Sequence, residues 1–170
     1  LPISELVQLK PTATAKILWQ ANAGSAERFV FTPMLSETVV AVAGASGQIA
    51  RFDAASGKPL SRIDTKVGLS GGVGGDKQIM IVGSPKGEVF AYDAGGKQLW
   101  KAQLTSDILS APQIEQDITI VRTGDGRLFG LDAATGARKW VYQRTLPPLT
   151  VRTHVTVLTY RGAVFAGFPG

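Results

Sequence analysis

Three aspartates recur at a regular interval and are the first residues in this sequence that could do chemistry. Asp53, Asp93 and Asp132 stand about 40 residues apart. Carboxylates that share a site can hold a cation or exchange protons with a substrate. Each of these aspartates is followed by Ala and, within three further positions, by Gly, which is typical of a turn. Because the three turns are equivalent parts of successive repeats, we do not expect the carboxylates to converge, and we predict that they form turns.

Other candidates for catalysis or metal binding are few. The chain has no Cys and one His, His154, which excludes thiolate and multi-histidine metal centres. A lone His without a Ser or Cys partner pattern is more often structural than catalytic. Residues 70–75, Ser-Gly-Gly-Val-Gly-Gly, resemble a phosphate-binding loop, but no Lys-Ser/Thr pair follows them, and we predict an inner strand there instead. The prediction is a non-enzyme with no cofactor and no metal.

The aspartates belong to a sequence repeat. Residues 126–140 recur at 87–100 and, with more changes, at 47–61. Each copy runs from a Gly through a mostly apolar segment to the Asp, as in a strand that is covered on both faces. A second Gly follows in the turn, at Gly57, Gly96 and Gly136. A repeat of about 40 residues made of strands and turns is the signature of β-propeller blades.

The repeat divides the chain into about three and a half blades. We predict an extended leader at 1–16, a ring-closing outer strand at 17–24, blades at 25–64, 65–104 and 105–148, and the first half of a fourth blade at 149–170. Innermost strands are predicted at 29–33, 69–73 and 109–114. An open arc leaves blade faces and sheet edges uncovered. We therefore expect the natural protein to have further blades, and this chain by itself to associate with other copies.

Composition agrees with a turn-rich all-β domain. The chain is 44% hydrophobic and contains 20 Gly and 9 Pro. No segment approaches the roughly 18 apolar residues of a transmembrane helix. The net charge is +5 and the pI is about 9.7, but the basic residues are scattered rather than gathered in one stripe. We therefore predict no nucleic-acid partner.

The pattern Asp-Ala-x-[Ser/Thr]-Gly-x-x-x-Trp at residues 132–140 resembles the tryptophan-docking repeat of quinoprotein-type (PQQ-like) propellers. The resemblance implies that each Trp ring packs on the Gly-containing turn of a neighbouring blade. It assigns this docking role to Trp19, Trp100 and Trp140, and it gives Trp140→Ala an expected cost of about 3–5 kcal/mol. The first copy has Ser61 at the Trp position, so we expect that blade to be docked less firmly.

Nearly the whole chain is also similar to the BamB family, lipoproteins of the bacterial outer-membrane β-barrel assembly machinery. The more specific signal is Leu149-Thr150-Val151-Arg152, ahead of the fourth blade. This resemblance implies a non-catalytic, eight-bladed scaffold on the periplasmic face of the outer membrane, with a lipid anchor upstream of this chain. It also implies that Leu149, Val151 and Arg152 contact the POTRA domains of BamA, and that unfolded outer-membrane proteins are clients.

Two other functions stay open at this point. PQQ-dependent dehydrogenases share the repeat, but they typically need a Ca²⁺ site, an Asp base and often vicinal Cys, and this sequence shows no such pattern. A peptide-binding propeller of another kind would bind at the mouth of its channel rather than at residues 149–152. Judged by spacing alone, residues 149–152 fit an ordinary inter-blade loop with a solvent-facing Arg, and it is the resemblance that favours a contact.

Overall fold

The computed structural model describes residues 12–145 and 154–168. Within these ranges the chain forms fourteen β-strands and no helix, which confirms the all-β prediction. The strands make three four-stranded sheets and one two-stranded sheet, all antiparallel and each in sequence order. No helix in the described part of the chain is long and apolar enough to cross a bilayer.

The strands of each sheet follow one another from the inner to the outer edge of a blade. The first sheet contains β1 Met34–Leu35, β2 Val39–Ala43, β3 Gln48–Asp53 and β4 Pro59–Asp64. The second contains β5 Gly74–Gly75, β6 Ile79–Gly83, β7 Glu88–Asp93 and β8 Gln98–Gln103. The third contains β9 Gln113–Glu115, β10 Ile118–Arg122, β11 Arg127–Asp132 and β12 Arg138–Gln143, and the two-stranded sheet contains β13 Leu158–Tyr160 and β14 Ala163–Phe165.

The second sheet is buried on both faces, because it lies between the first and the third sheets. In β7, Phe90 and Tyr92 pack on the first sheet, whereas Val89 and Ala91 pack on the third. All four side chains are buried. This sandwich explains why the strand is apolar at successive positions instead of at alternate ones. The blades are thus held together by two continuous apolar layers, and a smaller third layer joins the third sheet to the two-stranded one.

The inner strands are shorter and begin later than the sequence predicted. Residues 29–33, 69–73 and most of 109–114 are not in strands. Some of their backbone bonds cross between blades instead, from Val73 N to Thr32 O (3.1 Å) and from Leu69 N to Ala45 O (3.1 Å). Small residues permit this approach, since a Cβ on Gly72 would overlap the Thr32 backbone and one on Gly74 would overlap Pro112. The inner edges of the blades therefore meet main chain to main chain.

Candidate functional site

The three repeated aspartates close their own turns and lie apart, in three different sheets. Asp53 Oδ1 accepts hydrogen bonds from the Ser56 backbone N–H (2.8 Å) and hydroxyl (2.5 Å). Asp132 does the same with Thr135, and Asp93 accepts from backbone amides of its turn. The Ser56 and Thr135 hydroxyls lower the pKa of Asp53 and Asp132 respectively. Among the described residues no group of His, Cys, Asp or Glu could hold a metal ion.

Trp100 joins the second blade to the third. Its ring is buried (6% exposed), and its indole N–H donates to Ala133 O at 2.8 Å. The turn that receives the ring contains Gly136, which has a φ of 73°. A Cβ on Gly136 would lie 2.5 Å from Trp100 Cε3, so only glycine fits both the backbone conformation and the ring. The indole therefore fixes the spacing between two blades through one hydrogen bond and one close contact.

Trp19 makes the same contact with the first blade. Its indole N–H donates to Ala54 O at 2.9 Å, and a Cβ on Gly57 would lie 2.6 Å from its ring. Residues 17–24, which include Trp19, do not pair with any strand among the described residues. The ring-closing strand predicted there therefore stays a prediction.

The junction between the first and second blades uses no tryptophan. Arg51 of β3 donates from Nη1 to Ala94 O at 2.7 Å, the position that the indole N–H contacts in the other two junctions. Ile63 of β4 fills the space at the turn, 3.0 Å from where a Cβ on Gly96 would stand. Arg51 lies opposite Ser61 in the β3–β4 ladder. The donor and the apolar contact, which one Trp supplies elsewhere, are thus divided here between two residues.

The repeat showed that Ser61 occupies the tryptophan position of the first copy, but it did not reveal that Arg51 and Ile63 take over the contacts of the indole. The available signal was an Arg directly opposite the small residue, in a strand position that is apolar in the other copies: Ala91 and Gly130 pair with Trp100 and Trp140. Because that signal appears only once the strand register is known, the repeat pattern alone could not reveal it.

Trp140 differs from the other two tryptophans. It packs over Gly130 of its own sheet, where a Cβ would overlap the ring, and it is 37% exposed. Its neighbours Val141 and Tyr142 are also exposed, as is every residue of β12. No protein acceptor for the Trp140 indole N–H is present in the part of the chain that the structure describes. The docking of Trp140 on the turn of a neighbouring blade therefore stays a prediction.

The predicted partner residues Leu149, Val151 and Arg152 lie outside the described residues, but both flanks of their segment are described. On the first flank, Arg144 N donates to Gly126 O at 3.2 Å. Equivalent bonds close the two preceding blades, from Thr65 N to Gly47 O (2.9 Å) and from Leu104 N to Gly87 O (2.8 Å). Arg144 therefore marks the start of the third link between blades, at the same end of the sheets as the first two.

The second flank returns to the same end of the third blade. His154 Nδ1 lies 3.1 Å from Leu109 O, and Val155 O accepts a hydrogen bond from Arg122 Nη1 at 3.3 Å. Val157 is buried against Ile120 of the third sheet. The first two links bond back to the blade that they leave within five residues, at 65–69 and 104–108, whereas eleven residues run from Arg144 to His154. In sequence the third link is therefore the longest of the three, and residues 146–153 of it lie outside the described residues.

An arginine and aromatic cluster lies beside both flanks. The Arg122 guanidinium stands 5.2 Å and that of Arg144 5.8 Å from the centre of the Phe168 ring. Tyr142 also packs on Phe168, with ring centroids 6.2 Å apart. Neither guanidinium forms an ion pair within residues 12–145 and 154–168. Sequence reasoning missed this group, which we call the Phe168 cluster, because its members lie far apart along the chain.

Comparison with known proteins gives one consistent family. The family model described as outer membrane protein assembly factor BamB matches residues 45–170. The chain is 42% identical over 167 residues to the outer membrane protein assembly factor BamB of Nitrosomonas eutropha, which covers 98% of this chain and 41% of that protein. The crystal structure of BamB from Moraxella catarrhalis superposes with a TM-score of 0.72 at 27% identity, over 79% of this chain and 41% of that one.

A more distant likeness concerns the fold alone. Quinohemoprotein alcohol dehydrogenase from Comamonas testosteroni matches with a TM-score of 0.57 at 23% identity, over 69% of this chain and 21% of that one. The chain spans less than half the length of the curated relatives it matches. The resemblance inferred from the repeats and from residues 149–152 is confirmed: the chain belongs to the BamB family of outer membrane protein assembly factors.

Proposed function

We propose that this chain is part of a non-catalytic scaffold of the β-barrel assembly machinery, which binds the POTRA domains of BamA and assists the insertion of outer-membrane β-barrel proteins. The observation that carries the proposal is the 42% identity to a protein named as an outer membrane protein assembly factor, over 98% of this chain. Under this proposal the protein works at the periplasmic face of the outer membrane, held by a lipid anchor on a segment upstream of Leu1.

The proposed contact with BamA is the segment that contains Leu149, Val151 and Arg152. Two aliphatic residues next to an Arg suit a small interface, because burial of the aliphatic groups supplies affinity and Arg is enriched among residues that dominate binding energy. The length of the link in sequence supports the assignment, since eleven residues run from Arg144 to His154, against five in each of the first two links. Both flanks are fixed to the third blade by hydrogen bonds.

Charge reversal of Arg152 tests this proposal. We expect Arg152→Glu to weaken binding of purified BamA POTRA domains by at least tenfold, on the order of 1.4 kcal/mol or more, in isothermal titration calorimetry. Arg161→Glu is the matched control, because Arg161 is an exposed arginine in the β13–β14 turn whose only described side-chain contact is with Tyr160. Equal affinities for the Arg152 variant and the wild type, or equal losses in both variants, would refute the assignment.

The scaffold role also predicts how unfolded clients are held. The outer strands β4, β8 and β12 each have one edge without a ladder partner among the described residues. Such edges can accept an extended segment as an added strand. Hydrogen exchange of β12 amides should slow in the presence of a client peptide, while that of the central strand β6 should not change. Unaltered exchange in β12 would count against client pairing at this edge.

Nothing in the relatives' names or in the described residues favours the dehydrogenase alternative. The expected self-association of this chain stays a prediction. The exposed apolar residues of the third and fourth sheets give it a physical reason, and they are Trp140, Val141, Tyr142, Leu158, Tyr160 and Phe165. Sedimentation velocity at several concentrations would measure it.

A further inference from the structure

The positive charge of this protein is not shared evenly along the chain. Residues 133–170 contain Arg138, Lys139, Arg144, Arg152 and Arg161 but no Asp or Glu. The whole chain has 18 Lys and Arg against 13 Asp and Glu, a net charge of +5. The last 38 residues therefore carry the entire excess, and residues 1–132 are neutral overall. Lys and Arg residues thus occur along the whole chain, whereas every Asp and Glu lies within residues 1–132.

The structure places three of these five cations at the two ends of the third blade. Lys139 pairs with Asp132 at 3.1 Å, and Arg138 begins β12 at the same end. Arg144 follows the other end of β12, where it stands with Arg122 on the Phe168 ring. Since both guanidiniums lie within 5.8 Å of one ring centroid, they are at most about 11 Å apart. The nearby carboxylate Asp125 is already paired with Arg127.

Arg122 has no carboxylate partner among the described residues. Its side chain is partly buried, and this burial lowers the pKa of the Arg122 guanidinium. Its described contacts are a backbone carbonyl, Val155 O, and the face of Phe168. A charge that loses part of its hydration is stabilised when it is paired with an opposite charge. The adjoining segment 146–153 contains no Asp or Glu, so it cannot supply the missing carboxylate.

We propose that the Phe168 cluster is a second contact site, at which Arg122 and Arg144 bind the carboxylates of an acidic segment of a protein partner. The proposal deepens the proposed function. It rests on that function in one respect only, namely that the acidic segment belongs to the same protein that residues 149–152 bind. Guanidinium groups bind carboxylates with paired hydrogen bonds, and the exposed ring of Tyr142 offers an apolar surface beside them. A nucleic acid fits less well, because it needs many phosphate contacts along a stripe, whereas only two described guanidiniums meet here.

The test compares two arginines at opposite ends of one strand. Arg144 and Arg138 are both exposed, neither forms an ion pair among the described residues, and β12 separates them by about 20 Å. Each is changed to Glu, and binding of a fluorescein-labelled peptide of alternating Glu and Ser is followed by anisotropy. We expect Arg144→Glu to raise the Kd about tenfold or more at 0.1 M salt, and Arg138→Glu to raise it less than about threefold. At 1 M salt the difference should largely disappear.

Controls separate this site from folding defects and from the first contact. Circular dichroism melting should match between the two variants, and Arg122→Gln provides a second variant that is not a charge reversal. If Arg144→Glu and Arg138→Glu bind the acidic peptide equally well, the site is overturned, whatever Arg152→Glu does to binding of POTRA domains. If wild-type protein does not bind POTRA domains but Arg144→Glu still selectively loses the peptide, the proposed function fails and the acidic site stands.

Competition identifies the class of partner. Single-stranded DNA and phosphatidylglycerol vesicles are titrated against the bound peptide in both variants. If either displaces the peptide at a lower concentration than unlabelled peptide does, and depends on Arg144 in the same way, the assignment to an acidic protein segment is wrong. Weaker competition by both supports it.

Discussion

Replacing Trp100 by Ala should destabilise the protein more than replacing Trp140 by Ala, although both residues hold the same place in the repeat. Trp100 is 6% exposed and Trp140 is 37% exposed. For an aromatic side chain of about 200 Å² this difference is about 60 Å² of buried surface. At about 25 cal/mol per Å² it corresponds to about 1.5 kcal/mol. The surface that the unfolded chain exposes is nearly the same in both variants, so it largely cancels in this difference.

The hydrogen bond of Trp100 adds to this difference. Removal of the indole leaves Ala133 O without its donor at 2.8 Å, which costs about 1 kcal/mol. Trp100→Ala should therefore lower the free energy of unfolding by about 2.5 kcal/mol more than Trp140→Ala, and the cost of Trp140→Ala should fall at or below the lower end of the expected 3–5 kcal/mol. The assay is guanidinium denaturation followed by far-UV circular dichroism at one fixed protein concentration. Equal losses in the two variants would refute the reasoning.

The junction can also be tested from the turn that receives the ring. Gly136 and Gly162 both have positive φ, of 73° and 79°, so a change to Ala strains the backbone similarly at the two sites. A Cβ on Gly136 would overlap Trp100, whereas the nearest atom to one on Gly162 would be Gln116 Nε2 at 3.8 Å. Gly162→Ala should cost about 1–2 kcal/mol, and Gly136→Ala about 1–3 kcal/mol more, the usual penalty of overpacking. A Gly136 variant no less stable than its control would show that the ring can move aside.

Two further predictions concern the remaining junction and the response to acid. Arg51→Met should lower the free energy of unfolding by about 1–3 kcal/mol because Ala94 O loses a charged donor, whereas Arg138→Met should change it by less than about 0.5 kcal/mol; similar denaturation midpoints would contradict this. Burial raises the pKa of Asp125, but hydrogen bonds from Thr123 and Thr105 and the charge of Arg127 outweigh burial and lower it below its usual 3.8. The unfolded chain therefore takes up the proton first, so the stabilisation is complete well above pH 4 and is lost as the pH falls through the lowered value. Denaturation midpoints measured from pH 7 to pH 3 should fall less steeply for Asp125→Asn, and parallel curves would argue against this role.

The sequence by itself determined the local geometry of the blades. The turns at the repeated Asp and Gly residues are closed by hydrogen bonds between residues close in sequence. The Ser56 amide donates to Asp53, and the Thr135 amide donates to Asp132. Turns of this kind are encoded where they occur, because an Asp side chain reaches only the next few amides. The apolar runs likewise indicated strands that are covered on both sides. The repeat and residues 149–152 together also identified the family.

Only the tertiary structure decided what happens between blades. The replacement of a tryptophan by Arg51 and Ile63 depends on strand register and on a neighbouring blade, and neither can be read from the spacing of the repeat. The inner strands are shorter than predicted because amides such as those of Leu69 and Val73 bond to the preceding blade, and Trp140 differs from Trp100 because no described turn covers it. The Phe168 cluster joins residues from β10, from the end of β12 and from beyond β14. Contacts between residues that are distant in sequence are set by how whole sheets pack, so a local pattern cannot specify them.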